Sequence, residues 1–202
     1  MLFRRRVRLP ELAPFVQRLR TALASRSPEP VIRPEARRAA VALLVAEAAD
    51  PAILFIRRQR RVGDPWSGQM AFPGGFASPQ DPSLEATARR ETREETGIEL
   101  DEAASLLGAL DDVSPRTPYL PPIVVTPYVY LVPQQLRTLP GSEVEATVWL
   151  SVGQLFSPQS RKPYRFTLPG EVREFPSVVV GEYTIWGLTE RVLEQLRPLA
   201  GL

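Results

Sequence analysis

The feature that most constrains this chain is residues 74–98, GGFASPQDPSLEATARRETREETGI. Asp81 followed by Pro82 reads as an N-cap with proline at the first helical position. Gly97 reads as the residue just past the helix end. The helix between them carries Glu91, Glu94 and Glu95 in its last turns. From Glu91 the other two lie at i+3 and i+4, so all three carboxylates share one face. Like charges at that spacing repel, and acids near a helix C-terminus oppose the macrodipole. Each such pair costs about 0.2–0.5 kcal/mol, which a helix survives but folding does not reward. A divalent cation reverses that sign, and a local rule broken without structural gain points to function.

Charge alternation offers a plainer account of the same helix. Glu85–Arg89 and Arg90–Glu94 are i,i+4 pairs of opposite sign, ordinary for a solvated face. The glycines shift the balance. Gly74 and Gly75 let the backbone turn tightly and come close to a ligand. A carbonyl from that turn, added to three carboxylates, makes an all-oxygen donor set suited to Mg2+ or Mn2+.

The stretch resembles the Nudix box, G-x5-E-x7-R-E-U-x-E-E-x-G-U, in which U is aliphatic. Gly75 stands at its glycine, and Arg90, Glu91, Glu94, Glu95, Gly97 and Ile98 match its second half. Asp81 stands where the first glutamate is expected, one extra residue separates it from Arg90, and Thr92 replaces an aliphatic residue. The first two departures recur in a branch of the family that resembles coenzyme A pyrophosphatases. That branch carries a G-Q-V-A-F-P-G-G-like run before the box, and residues 68–75 here read GQMAFPGG. Residues 185–189, IWGLT, are a second match. The branch's L-R-x-H-x-G-Q-like run is here residues 63–69, GDPWSGQ, without histidine. Its later Ser-Gly-Phe-like segment is replaced by the proline-rich residues 114–122.

The resemblance spans residues 39–196. It implies an α/β fold: a Nudix-type α/β/α sandwich with a mixed β-sheet, here with an N-terminal helical extension. It also implies metal-dependent hydrolysis of a pyrophosphate bond in a nucleoside diphosphate linked to another group. Coenzyme A or a related derivative is the first candidate, giving 3′,5′-ADP and 4′-phosphopantetheine. ADP-ribose, a dinucleoside polyphosphate or a nucleoside triphosphate is the alternative. Glu91, Glu94 and Glu95 would then hold Mg2+ or Mn2+, with the Gly75 carbonyl completing the set. Arg90 would orient a glutamate by a charge-assisted pair. Glu143 is a candidate fourth ligand or base, in competition with Glu145, and the general base is one of these glutamates. Asp81 would fix the junction of loop and helix. A non-catalytic nucleotide-binding regulator on the same fold is the alternative of another class, and the intact acid set argues against it.

Composition narrows the chemistry. The 202 residues suit one domain with embellishments, and 44% hydrophobic residues can bury a core. The chain has no cysteine, which excludes disulfides and thiolate metal sites. It has no histidine, which removes Ser-His and Cys-His mechanisms and the usual zinc site. Catalysis is left to carboxylates, arginines, Lys162, tyrosines, hydroxyls and a metal. A net charge of +2 does not demand a nucleic-acid partner, so the expected partner is a small nucleotide. The longest apolar run, residues 39–46, is too short to span a bilayer. No apolar h-region follows the basic residues 1–8, and a cytoplasmic location is expected.

Residues 1–34 read as a helical arm and linker, and residues 35–202 as the Nudix domain. Leu9, Leu12, Val16, Leu19 and Leu23 recur at helical spacing and predict a helix over 11–24, with Pro14 in its first turn. Packing on the domain is the expectation for this arm, with a homodimer contact as the alternative. Residues 39–46 and 53–57 read as a hairpin, and 69–72 as a short strand. Arg57, Arg58, Arg60 and Arg61 form either a solvated loop or a phosphate-attracting rim, in which Arg57 and Arg58 are the substrate candidates. Residues 99–110 hold a strand and a turn. Residues 111–122 are an irregular candidate substrate loop, where Arg116 could contact a phosphate and Tyr119 could stack on a base. Further strands are predicted at 123–132, where Pro127 indicates an edge or a bulge, and at 144–150, 164–168 and 172–180. A short helix is expected at 152–156. A final amphipathic helix buries Leu188, Val192, Leu193 and Leu196.

Overall fold

A computed structural model describes residues 14–63, 66–115, 120–168 and 171–202. In chain order the elements are α1 (Pro14–Ala24), β1 (Arg37–Ala46), β2 (Ala52–Arg58), β3 (Met70–Ala71), β4 (Gly74–Phe76) and α2 (Leu84–Thr96). There follow α3 (Leu100–Ala103), β5 (Ser105–Ala109), β6 (Ile123–Val132), β7 (Val144–Ser151) and α4 (Val152–Leu155). A 3-10 turn (Pro158–Ser160) leads to β8 (Arg161–Leu168), β9 (Glu171–Val180), β10 (Tyr183–Trp186), α5 (Gly187–Glu194) and α6 (Leu196–Ala200).

The apolar run of β1 is central because both its edges are paired. It runs parallel to β6 along its length, from Arg37↔Ile123 to Ala46↔Val132. On its other edge it meets β2 antiparallel only beside the hairpin turn, at Val45↔Ile53 and Ala46↔Ala52. Beyond that point the two strands part, and residues 69–76 fill the gap. β3 pairs with β2 at Arg57↔Met70, and β4 pairs with β1 at Ala40↔Gly75 and Val41↔Gly74. The Ala42 N–H donates to the Pro73 carbonyl at 2.8 Å, and the Arg58 N–H to the Gln69 carbonyl at 3.0 Å. The glycine turn is thus held from both sides. β7 lies on the far edge of β2 and β5 on the far edge of β6, completing a seven-stranded mixed sheet. β8, β9 and β10 form a second, antiparallel sheet.

Side chains alternate along a strand, and β1 uses both faces. Ala40, Ala42, Leu44 and Ala46 face one way and pack with Ala88 of α2, Ile98, Leu100, Leu54 and Tyr130. The small alanines let α2 lie close to the sheet. Leu43 and Val45 face the other way, with Phe55, Leu19 of α1, Leu193 of α5 and Leu196 of α6. The result is an α/β/α sandwich with α2 on one side and the terminal helices on the other. The arm helix α1 packs on the body: Phe15, Val16, Leu19 and Leu23 are buried, and Arg18 donates to the Ala200 carbonyl.

Pro14 is the first residue of α1, and residues 11–13 lie outside the described residues. The strand β6 is not an edge, since β1 and β5 flank it, but its pairing on the β5 side is irregular, with a register shift between Leu106 and Gly108 and, among the described residues, only an isolated bridge, Val113↔Val125, beyond Pro127. Pro127 fits because its carbonyl faces the β5 side, accepting from the Leu110 N–H at 2.9 Å just past the end of β5. Its missing N–H therefore falls where that ladder stops. The C-terminal helix breaks at Gln195 into α5 and α6. Among the described residues no helix is long and apolar enough to cross a membrane.

Candidate active site

The helix α2 starts two residues later than the Asp-Pro pair suggests. Ser83 is the N-cap, extended at φ −158° and ψ 166°, and its hydroxyl accepts from the Ala86 N–H at 3.1 Å. Gly97 closes the other end at φ 72°, donating to the Arg93 carbonyl. Asp81 does not cap, because its carboxylate is engaged elsewhere. It accepts from the Ser78 N–H at 2.9 Å, the Thr87 hydroxyl at 2.8 Å, and Arg90 Nε and Nη2 at 3.0 Å each. The Arg90 guanidinium holds this carboxyl well below the usual range.

Arg90 is in turn fixed on every side. Besides Asp81 it donates to the Phe76 carbonyl at 3.2 Å, to Glu91 at 2.7 Å and to Glu94 at 3.3 Å. Bidentate pairing with Asp81 locks the guanidinium plane, so Glu91 and Glu94 meet a rigid cation.

The three glutamates of the helix differ in environment. Glu95 is 5% exposed, and its Oε2 accepts the Gly74 N–H at 2.8 Å. Burial pushes its carboxyl up to about 8, opposed by the Gly74 N–H and by Arg58, and reinforced by the charges of Glu91 and Glu143. Burial also raises Glu91, against the pull of Arg90. Glu94 is half exposed. At Gly75 a methyl group would stand 2.6 Å from Glu91 Oε1, so only glycine leaves room for that carboxylate. At Gly141 it would strike the Glu94 carbonyl.

Glu143 lies exposed at the edge of this group, paired to Arg61 at 2.9 Å, while its charge reaches Glu91 and Glu95. Glu145 turns to Arg57 at 3.2 Å instead. Arg57 and Arg58 also go different ways: Arg58 acts on Glu95, whereas Arg57 approaches Glu145 and Glu182. Arg116 and Tyr119 lie outside the described residues.

The donors fit a hard divalent cation. Glu95 is buried and Glu91 half-buried, both with raised proton affinity, beside a turn whose missing Cβ leaves a cradle, and every donor is oxygen. Among the described residues no three acidic side chains converge tightly enough to form a ready cage. Arg90 draws Glu91 and Glu94 toward itself, and Arg61 draws Glu143.

A cleft of about 490 Å3 opens between Arg57, Arg60 and residues 67–70 on one side and the second sheet on the other. Its wall includes Tyr164, Phe166, Tyr183 and Trp186, with ring centroids 4.5 Å apart for Tyr164–Trp186 and 5.1 Å for Phe166–Trp186. The sequence reading passed over Tyr164 and Phe166 as strand residues. Their signal was two aromatics at i and i+2 in a strand otherwise rich in charge.

The profile of the NUDIX domain matches residues 36–168. A Nudix hydrolase NudL of Photorhabdus laumondii, itself uncharacterized, is 32% identical over 186 residues, covering 92% of this chain and 95% of that one. The mitochondrial coenzyme A diphosphatase NUDT8 of Homo sapiens is 34% identical over 170 residues, covering 80% of this chain and 70% of that one. An uncharacterized protein of Schizosaccharomyces pombe is 36% identical over 154 residues, covering 64% of this chain and 46% of its own length. Among solved structures, a MutT/nudix family protein from Enterococcus faecalis superposes with a TM-score of 0.58 at 18% identity, over 91% of this chain and 68% of that one. That last likeness concerns the fold alone. The extent of the domain match and the two relatives above 30% identity that this chain covers over more than two thirds of their length leave one conclusion: the chain belongs to the Nudix hydrolase family.

Proposed function

We propose that this Nudix pyrophosphohydrolase cleaves coenzyme A or a close derivative into 3′,5′-ADP and 4′-phosphopantetheine, using Mg2+ or Mn2+. The observation that carries the hydrolytic reading is the seating of buried Glu95 and half-buried Glu91 against the glycine turn, Glu95 on the Gly74 N–H and Glu91 over Gly75. The choice of coenzyme A rests on the GQMAFPGG run and on the name of the human relative.

In this reading Glu91, Glu94, Glu95 and the Gly75 carbonyl hold the cation, which supplies charge neutralisation at the pyrophosphate oxygens. Arg90 sets the orientation of Glu91 and Glu94 and does not touch substrate. The Gly74 N–H holds one oxygen of Glu95 and leaves the other for the site. The raised proton affinity of Glu91 and Glu95 suits one of them to accept the proton of the attacking water, with Glu143 at the rim as the competing base. Arg58, beside Glu95, adds positive charge for the phosphates, while Arg57 serves the cleft.

The test is a product analysis with Mg2+ and then Mn2+, covering coenzyme A, acyl-coenzyme A, ADP-ribose, diadenosine polyphosphates and nucleoside triphosphates. Release of 3′,5′-ADP from coenzyme A is the expected result. A preference for ADP-ribose keeps the hydrolase and removes coenzyme A; the absence of histidine from residues 63–69 favours that second reading. A folded chain that binds nucleotides and turns none over overturns the enzymatic proposal.

A further inference from the structure

We propose that the cleft that Arg57, Arg60 and residues 67–70 form with the second sheet receives the nucleobase end of the substrate, its ring stacked on the Tyr164–Phe166–Trp186 wall and a sugar phosphate at Arg60. The assignment rests on reading the substrate as a nucleotide, whichever nucleotide it is.

The aromatic wall is not core. Tyr164, Phe166, Phe175 and Trp186 belong to neither buried cluster and all remain partly exposed. Cross-strand aromatic pairs do stabilise a hairpin, and Tyr164 stands opposite Phe175. That role leaves no need for an adjacent open cleft of about 490 Å3, a volume in the range of small-ligand sites. Aromatic faces bordering such a space form a platform on which any base can stack.

Polar groups around the wall suit the rest of a nucleoside. Thr184 offers a donor and an acceptor to a ring edge, and Glu182, which also faces Arg57, can accept from an exocyclic amine. Arg60 also lines the cleft, and among the described residues it has no acidic partner. Its side chain lies over Gly68, where an added methyl would approach it to 3.3 Å. A guanidinium so placed recognises a phosphate.

Placement joins the cleft to the carboxylates. Met70 lines the cleft and Gly74 bonds Glu95, four residues further along the same segment. In this proposal a nucleotide whose base lies on the aromatic wall extends its phosphates along residues 70–74 toward the glycine turn.

The experiment is calorimetric titration of the full chain in EDTA, where no turnover occurs, with 3′,5′-ADP, adenosine and 4′-phosphopantetheine. Phe166→Ala should weaken 3′,5′-ADP and adenosine by about tenfold, and Phe166→Trp should retain them. Arg60→Ala should weaken 3′,5′-ADP while leaving adenosine unchanged. Thermal melts of each variant establish that it is folded. Unchanged affinity of Phe166→Ala for 3′,5′-ADP overturns the proposal, as does an absence of 3′,5′-ADP binding to the parent chain. Selective loss of 4′-phosphopantetheine binding in Phe166→Ala overturns it too, giving the cleft to the arm. The two proposals fail separately. A chain inert toward coenzyme A that binds adenosine through Phe166 keeps the cleft, and a coenzyme A hydrolase indifferent to Phe166 keeps the reaction.

Discussion

Glu95 is the residue with most to lose from the absence of a cation. Its carboxyl, ordinarily near 4.5, is pushed up to about 8, chiefly by burial. A value raised in the folded state contributes stability that is full below about 4.5 and is lost as pH rises through about 8. In EDTA the melting temperature should therefore fall between about pH 5 and about pH 8.5. Glu95→Gln should flatten that profile, and Mg2+ or Mn2+ should restore the parent chain at the alkaline end. A parallel decline in Glu95→Gln would locate the effect elsewhere. Turnover should vanish in Glu95→Gln with the fold intact, whereas Arg90→Ala, which loosens Glu91 and Glu94 and also leaves Asp81 without its cation, should lose about 10–100-fold in turnover and some stability as well. The shared face of Glu91, Glu94 and Glu95 was legible because helical spacing alone dictates it. Their unequal burial was not, because it depends on where β4 meets the helix, and nothing local to the helix records that.

At the scale of elements, the two glycines of the turn should respond differently to a methyl group. Gly75→Ala presses on the end of the Glu91 side chain, which can move, so the melting temperature should change little while turnover falls at least about tenfold. Gly74, at φ 155°, would drive its methyl into the Ala40 carbonyl and the Val41 backbone, which cannot move. Gly74→Ala should cost about 1–3 kcal/mol in denaturant unfolding as well. Equal stability losses in the two variants would contradict this division. The strand β4 escaped the sequence reading because GGF has no strand propensity; it is extended only because β1 and β2 diverge beside it. The helix start was misplaced for a related reason. Asp81-Pro82 has the chemistry of a cap, but Arg90 claims the carboxylate from nine residues away and leaves the cap to Ser83.

For the whole molecule, the sandwich was readable from the resemblance, while the continuous apolar run of β1 and the amphipathic helices marked only a buried strand and its covering elements. The arm helix is part of that body. Leu19→Ala should destabilise the whole chain by about 2–5 kcal/mol in a single cooperative urea transition. A separate early transition would show an independent arm. The aromatic cleft was not legible, because Tyr164, Phe166 and Trp186 meet only when β8, β9 and β10 pair. One hydrogen bond, from the Arg58 N–H to the Gln69 carbonyl, ties off the base of the loop between these residues. The loop carries Arg60, Ser67 and Gly68 into the cleft. Past the tie, the chain runs straight into the ladders that fix Gly74 and Gly75. Length and composition of the loop can therefore drift without displacing the carboxylate centre. With the proposed base site in the cleft and the proposed cation site at the glycine turn, what is cut can change while how it is cut is kept.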